Sequence, residues 1–291
     1  MNAAPLSGLA PVSPRRFYLG LAALCALLPT ACASVVVHEV RSDYSHIRVV
    51  DVGGQRALYF LGSADVDVVE TLIDLRQPHV LQHEYARAVM AGLLYRSETS
   101  SCLLIGLGGG AIVRFFNHHL PRLELDVVEI DPVVVRVARE FFGTTEAPGT
   151  RIRVADGRDF LERSAARYDL ILIDAHLHPD ARTDSTGHPL SLRSAPFYRS
   201  VRERLNPGGM VMFNVIKGRD SDAYVDKIGK AFGSIDVYRP VGTGNIIVFA
   251  SADAALPGEG ELRARAQAFD RRGGYGFSFE PLLAVRERRT R

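Results

Sequence analysis

A chain of 291 residues can bury a sizeable core, as one large domain or two modest ones. Its apolar share of 47% and charged share of 23% are those of a globular protein, not of a disordered tail or a fibre. A net charge of +2 without a clustered basic face argues against a nucleic-acid binder, and the short basic C-terminus "RERRTR" reads as a solvated tail.

Residues 1–33 read as a signal or an anchor. "MNAAPLSGLAPVSPRR" carries two arginines and no acid, and an apolar run follows from Phe17 to Ala33. Seventeen residues is marginal for a membrane span. A basic start, an apolar core and an A-x-A site before Ser34 fit a secretory signal. Pro29-Thr30-Ala31-Cys32 is an imperfect lipobox, and Arg15-Arg16-Phe17-Tyr18-Leu19 resembles a twin-arginine signal. The expectation is an exported, periplasmic or membrane-attached protein. The alternative is a misassigned start and a cytoplasmic one. Of the three cysteines, Cys25 and Cys32 lie in this segment, and Cys102 sits in an apolar run and is expected in the core. No disulfide framework or CxxC pair exists.

Residues 34–78 are expected to form a small antiparallel β unit. Its strands are "VVVHEV", "HIRVVDV" and "ALYFLG", the last two joined at Gly53-Gly54. Residues 79–251 are expected to form a Rossmann-like domain. Helical spacing over 79–95 opens it. Strand-like runs "SCLLIGL", "LELDVVEI", "RIRVA", "YDLILIDA" and "GMVMFNVI" then alternate with helices predicted at 110–119, 132–142, 157–165 and 194–205. Continuous apolar strands alternating with helices predict a parallel sheet covered on both faces. A helix at 220–232 and a hairpin of strands near 235–239 and 245–250 extend it. Residues 252–291 read as an appendage with one helix in "ELRARAQAFDRR".

Five segments carry the chemistry. Gly106-Leu107-Gly108-Gly109-Gly110-Ala111 satisfies G-x-G-x-x-G/A, a turn that brings backbone close to a ligand at a helix N-terminus. Glu129, in "VVEIDP", ends the next strand and suits ribose hydroxyls. Asp156-Gly157, in "ADGRDF", suits an adenine amino group, and Asp156 also suits a helix N-cap. Asp174 ends "YDLILIDA" at the carboxyl edge of the sheet, where it can position a cationic amine or take its proton. "LNPGG" (205–209) turns into the fifth strand.

Together these resemble the class I fold that binds S-adenosylmethionine, with its α/β Rossmann-like methyltransferase-type sheet. With the N-terminal β unit and "FYxxVRxRLxPGG", the chain is similar to the spermidine synthase family of polyamine aminopropyltransferases, in its divergent spermidine synthase-like branch. The resemblance implies an aminopropyl transfer from decarboxylated S-adenosylmethionine to putrescine or another small amine. It implies that Gly106, Leu107, Gly108, Gly109, Glu129, Ile130, Asp156 and Gly157 hold the donor, and that Asp174 helps deprotonate the acceptor. Tyr85, Asp180 and Tyr198 are candidate substrate contacts. No metal is expected; His176, His178 and His188 suit a polar loop over the pocket, and His118-His119 suits a helix C-terminus. A homodimer is a further expectation.

The chain departs from the family at two points. The family's glycine turn, "GGGDGG", holds an aspartate for the aminopropyl ammonium, and Gly109 stands there. A second aspartate follows three residues after the Asp174 position, and Leu177 stands there, with Asp180 or Asp184 as substitutes. Upstream of the turn, spacing favours Tyr85-Ala86-Arg87 over Gln82-His83-Glu84 as the counterpart of the family's polar cluster. Two other readings stay open: a methyltransferase using S-adenosylmethionine itself, and a non-catalytic nucleotide-binding protein of the cell envelope.

Overall fold

A computed structural model describes residues 34–61, 67–96, 98–177, 179–252 and 255–290. The signal or anchor expected over 1–33, with Cys25 and Cys32, lies outside the described residues. No helix among them is long and apolar enough to cross a membrane.

The N-terminal unit is a four-stranded antiparallel sheet in the order β1 (Val35–Arg41), β2 (His46–Val52), β3 (Gln55–Leu61) and β4 (Asp67–Asp74). The sequence reading named the first three strands and missed β4. The helical spacing of 79–95 yields only a six-residue helix α1 (Glu84–Val89), which tightens into a 3-10 turn over Met90–Leu94. Gly92 there packs so closely that a Cβ would sit 3.0 Å from Phe249 Cε1.

The main sheet alternates with helices as expected: β5 (Ser101–Ile105), α2 (Ala111–His119), β6 (Glu124–Glu129), α3 (Pro132–Phe142), β7 (Thr150–Val154), α4 (Gly157–Arg163), β8 (Tyr168–Ile173), α5 (Ala195–Glu203), β9 (Leu205–Ile216), α6 (Ser221–Phe232), β10 (Ile235–Tyr238) and β11 (Asn245–Ser251). Strands β5 to β9 pair in parallel, in the order β9-β8-β5-β6-β7. Successive strand residues feed opposite layers. Leu104, Val127 and Leu172 pack under α2 and α3, with Val113 and Val134. Leu103, Val128 and Ile171 pack under α4, α5 and α6, with Leu161, Phe197 and Ile228. Cys102 is a free thiol in the first of these layers. The strand order reverses between β5 and β8, and this opens a crevice at their carboxyl ends.

After α7 (Glu259–Arg272), the basic tail is not a solvated one. Residues Arg286–Arg289 form β12, an antiparallel edge strand on β10. The cause is Asp236, 0% exposed on β10. Arg288 meets it at 2.8 Å and Arg286 at 3.1 Å, and Tyr95 donates its hydroxyl at 2.8 Å. A buried carboxylate of this kind requires cationic partners, and the tail supplies them.

Candidate functional site

Three strand ends are stitched at the crevice. The Gly106 N–H donates to Val128 O at 2.8 Å, and the Asp174 N–H donates to Ile105 O at 2.9 Å. Gly106 has φ +99°, and a Cβ on it would lie 2.0 Å from the Asp174 carbonyl oxygen. Only glycine lets β5 and β8 end this close, so the turn, Glu129 and Asp174 share one site.

Glu129 is 8% exposed, and its two oxygens accept from the Leu107 and Asp131 N–H groups at 2.9 Å each. It shapes the glycine turn as well as lining the crevice. Asp156 caps α4 by accepting from the Arg158 and Asp159 N–H groups, while Gly157 seats that helix against Ile105. Asp174 accepts from Asn214 Nδ2 at 2.7 Å, and Asn245 Nδ2 donates onward to Asn214 Oδ1 at 2.9 Å.

Gly106, Glu129, Ile130, Asp156, Gly157 and Asp174 line a cavity of about 440 Å³. The N-terminal unit lines its other side with Tyr44 and Ser45 from the β1–β2 connection, Phe60 of β3 and Glu70 of β4. The sequence reading missed all four. Glu70 stands on β4, the strand it did not find, and no short motif marks it. A recess of about 30 Å³ adjoins the cavity and shares Glu70, Gly106, Leu107, Gly108 and Asp174 with it, adding Gln82, His83 and Tyr85.

The site is acidic. Burial pushes the Glu70 carboxyl up to about 8, and repulsion from Asp174 and Glu129 adds to it. Burial likewise lifts Glu129 to about 7, against the pull of its backbone donors. Burial raises Asp174 too, opposed by His176 and the Asn214 hydrogen bond. His83 and His176 are held below the usual imidazole range by burial, which favours their neutral forms.

Three sequence candidates stand apart from the cavity wall. Gly109 is buried beneath the turn, its N–H donating to Thr71 Oγ1 at 2.9 Å and its carbonyl accepting from Thr144 Oγ1 and Arg114. A Cβ there would meet Thr71 Cγ2 at 2.8 Å and Phe142 Cδ1 at 3.0 Å. Asp180 is exposed and paired with Arg182 at 2.6 Å. Tyr198 lies in the core of α5, edge-on to Phe213 and Phe232. Tyr85 lines the recess, its hydroxyl donating to the Glu70 carbonyl at 3.4 Å. Asp184 is committed within its own loop, to Thr186, the His188 N–H and Arg193. His188 is buried against the Tyr224 hydroxyl, and His178 lies outside the described residues. Among the described residues no group of three or more His, Cys, Asp or Glu is placed to hold a metal.

Comparison with known proteins bears on the family and the fold. The model of the spermine/spermidine synthase domain matches residues 83–231. A polyamine aminopropyltransferase of Vibrio vulnificus (strain CMCP6) is 27% identical over 257 residues, which cover 85% of this chain and 82% of the relative. The crystal structure of human methyltransferase-like protein 13 in complex with SAH superposes with a TM-score of 0.60 at 28% identity, over 69% of this chain and 98% of that one. A spermidine synthase in complex with the transition-state analogue AdoDATO superposes with a TM-score of 0.66 at 18% identity, over 86% of this chain and 84% of that one, and so shares the fold.

Proposed function

Because the chain belongs to the spermine/spermidine synthase domain family, a family of transferases, we propose that it moves an aminopropyl group from decarboxylated S-adenosylmethionine to a small amine such as putrescine. One observation carries this reading. Glu70, Glu129 and Asp174 face one cavity, and Arg182 is the only arginine or lysine among its lining residues. Arg182 is itself paired with Asp180. Such a cavity suits a ligand with positive charge on sulfur and on an amine, and lacks a partner for a carboxylate.

In this reading Glu129 takes the ribose hydroxyls, Asp156 and Gly157 take the adenine, and Gly106, Leu107, Gly108 and Ile130 pack on the adenosyl group. The acceptor nitrogen attacks the methylene carbon bonded to sulfur. A C–N bond forms, the C–S bond breaks, and neutral methylthioadenosine leaves with the bonding pair. Asp174 takes the proton that the new secondary ammonium sheds. Its raised affinity for protons, from burial, makes it a better base than an ordinary carboxylate. Asn214 fixes one of its oxygens, and among the described residues no hydrogen bond occupies the other. Since the leaving group is already charged, alignment and desolvation of the amine supply most of the rate.

The structural relative solved with SAH favours a second reading, methyl transfer from S-adenosylmethionine. That donor bears a carboxylate beside its ammonium. The Leu107 and Gly109 N–H groups are spent on Glu129 and Thr71, and Arg114, held through Nε and Nη1 to Pro78, Gly109, Phe142 and Thr144, is not among the residues that line the cavity or the recess. The turn therefore has little to offer a carboxylate, which weighs toward the decarboxylated donor.

The test is product identification with each donor in turn. Methylthioadenosine and an aminopropylated amine are expected from the decarboxylated donor. Formation of S-adenosylhomocysteine instead would establish the methyltransferase. Asp174→Asn is expected to slow turnover by about 10²-fold or more while methylthioadenosine still binds; a variant that keeps its rate removes Asp174 from the chemistry.

A further inference from the structure

Among the described residues Glu70 is the one carboxylate of the site with no side-chain hydrogen bond or ion pair to explain it. Asp174 is held by Asn214, and Glu129 by two backbone N–H groups. No arginine, lysine or histidine forms an ion pair with Glu70 among the described residues, and its position on β4 aims it at both the cavity and the recess. A charge left unpaired in such a place costs stability, and a ligand that pairs it recovers that cost.

The recess defines what that ligand group is. Its volume of about 30 Å³, against about 440 Å³ for the main cavity, has room for a small polar head and none for a nucleoside. Its charged lining is Glu70 and Asp174, with no arginine or lysine. His83 is kept toward its neutral form by burial, Tyr85 is kept protonated by burial, and the Gln82 amide is turned to Val80 O at 3.0 Å. Asp174 is needed to take a proton from the acceptor, which leaves Glu70 for the donor. The glycine turn offers no alternative, since a side chain at 109 would run into Thr71 and Phe142.

The geometry points to Glu70 as the anchor for the donor's terminal ammonium and the residue that selects a decarboxylated donor over a carboxylated one. It rests on the transfer reading above. A donor with a carboxylate beside the ammonium would bring that group against Glu70 and Asp174. The adenosyl group fills the larger cavity, and the three-carbon arm on sulfur reaches the recess with its ammonium toward Glu70. The acid that the glycine turn lacks is thus supplied from the N-terminal sheet.

The experiment is calorimetric binding of three probes to the wild type and to Glu70→Gln: decarboxylated S-adenosylmethionine, S-adenosylmethionine and methylthioadenosine. Methylthioadenosine keeps the adenosyl group and sulfur but has no ammonium. Glu70→Gln is expected to weaken the decarboxylated donor by about tenfold or more, as for a lost charge-assisted hydrogen bond. It should leave methylthioadenosine within about twofold and narrow the preference over S-adenosylmethionine. Glu70→Asp, which keeps the charge, should retain part of the lost affinity. Equal losses for the decarboxylated donor and methylthioadenosine, or no loss for either, overturn the assignment. Failure of the transfer reading itself shows in the wild type, as a decarboxylated donor that binds no tighter than methylthioadenosine and yields no aminopropylated amine.

Discussion

Restoring the family's turn aspartate, by Gly109→Asp, is expected to harm this protein. Position 109 has no positive φ to oppose a side chain, so the obstacle is steric. A Cβ would sit 2.8 Å from Thr71 Cγ2, 3.0 Å from Thr71 Cβ and 3.0 Å from Phe142 Cδ1. Neither neighbour can swing away into solvent. Thr71 and Phe142 are both buried, and Thr71 Oγ1 accepts the Gly109 N–H. Overpacking of this kind costs about 1–3 kcal/mol. Loss of the hydrogen bond adds about 1 kcal/mol. Some 2–4 kcal/mol in a domain of this size lowers Tm by roughly 5–15 °C. Gly109→Ala isolates the methyl clash, and its cost should shrink in a Thr71→Ala background, since the two side chains compete for one space. Thermal and denaturant melts of the four variants measure this. A Gly109→Asp protein that melts within about 1 °C of the wild type and binds the decarboxylated donor more tightly would refute the steric reasoning and return the ammonium site to the turn.

Two further outcomes follow from the carboxylates. Asn214→Leu removes the hydrogen bond that lowers the Asp174 pKa, so the rising limb of the pH–rate profile should move to higher pH as kcat falls by about tenfold; a lower rate with an unmoved limb would make Asn214 merely structural. Glu70 titrates near 8 and Glu129 near 7 in the folded protein against an ordinary 4.5, so the folded form holds more protons than the unfolded form between these values. Their contribution is full below pH 4.5 and is lost as pH rises through 7 and 8. Burial of His119, to about 4, pushes the other way only below its ordinary 6.5. The ligand-free protein should therefore lose stability from about pH 4.5 to about 8 relative to Glu70→Gln, in which His119 is unchanged and cancels, and a difference that stays flat across chemical denaturation curves in that range would show that Glu70 is not a buried, unpaired acid.

The sheet was legible because its strands are buried on both faces. "CLLI" and "LILI" read as unbroken apolar runs, and such runs between helices leave few topologies. The turn, Glu129, Asp156 and Asp174 were legible for the same reason, since each sits at the end of one of these strands. β4 was not. It is paired on one edge only, to β3, and "DVVETLID" mixes acids with apolar residues without a clean alternation. The tail misled in the opposite sense. "RERR" has the composition of a solvated segment, and its place is set by Asp236, about fifty residues upstream and invisible as a buried acid until β10 is built. Tyr198 matched a motif, but helix α5 turns its ring toward Phe213 and Phe232, and the motif encodes packing there.

The acid missing at Gly109 shows why a site is harder to read than a fold. Along the chain no substitute for it was in view; Asp180 and Asp184 were candidates only for the other missing acid, at Leu177, because they follow Asp174. In space, Asp180 is exposed beside Arg182 and Asp184 is consumed by its own loop. What a cation requires is a carboxylate within reach and without a partner, whatever element it comes from. Glu70 meets that requirement from a separate sheet, 39 residues before position 109. Thr71, its neighbour on β4, fills the space that a side chain at 109 would need. The glutamate and the glycine are thus two sides of one arrangement: with Thr71 in place the turn cannot carry the acid, and β4 carries it instead. It follows that Glu70→Gln with Gly109→Asp should not regain donor binding, whereas adding Thr71→Ala, which opens the space, should regain part of it. Full recovery in the double variant with Thr71 intact would show that the two positions are independent.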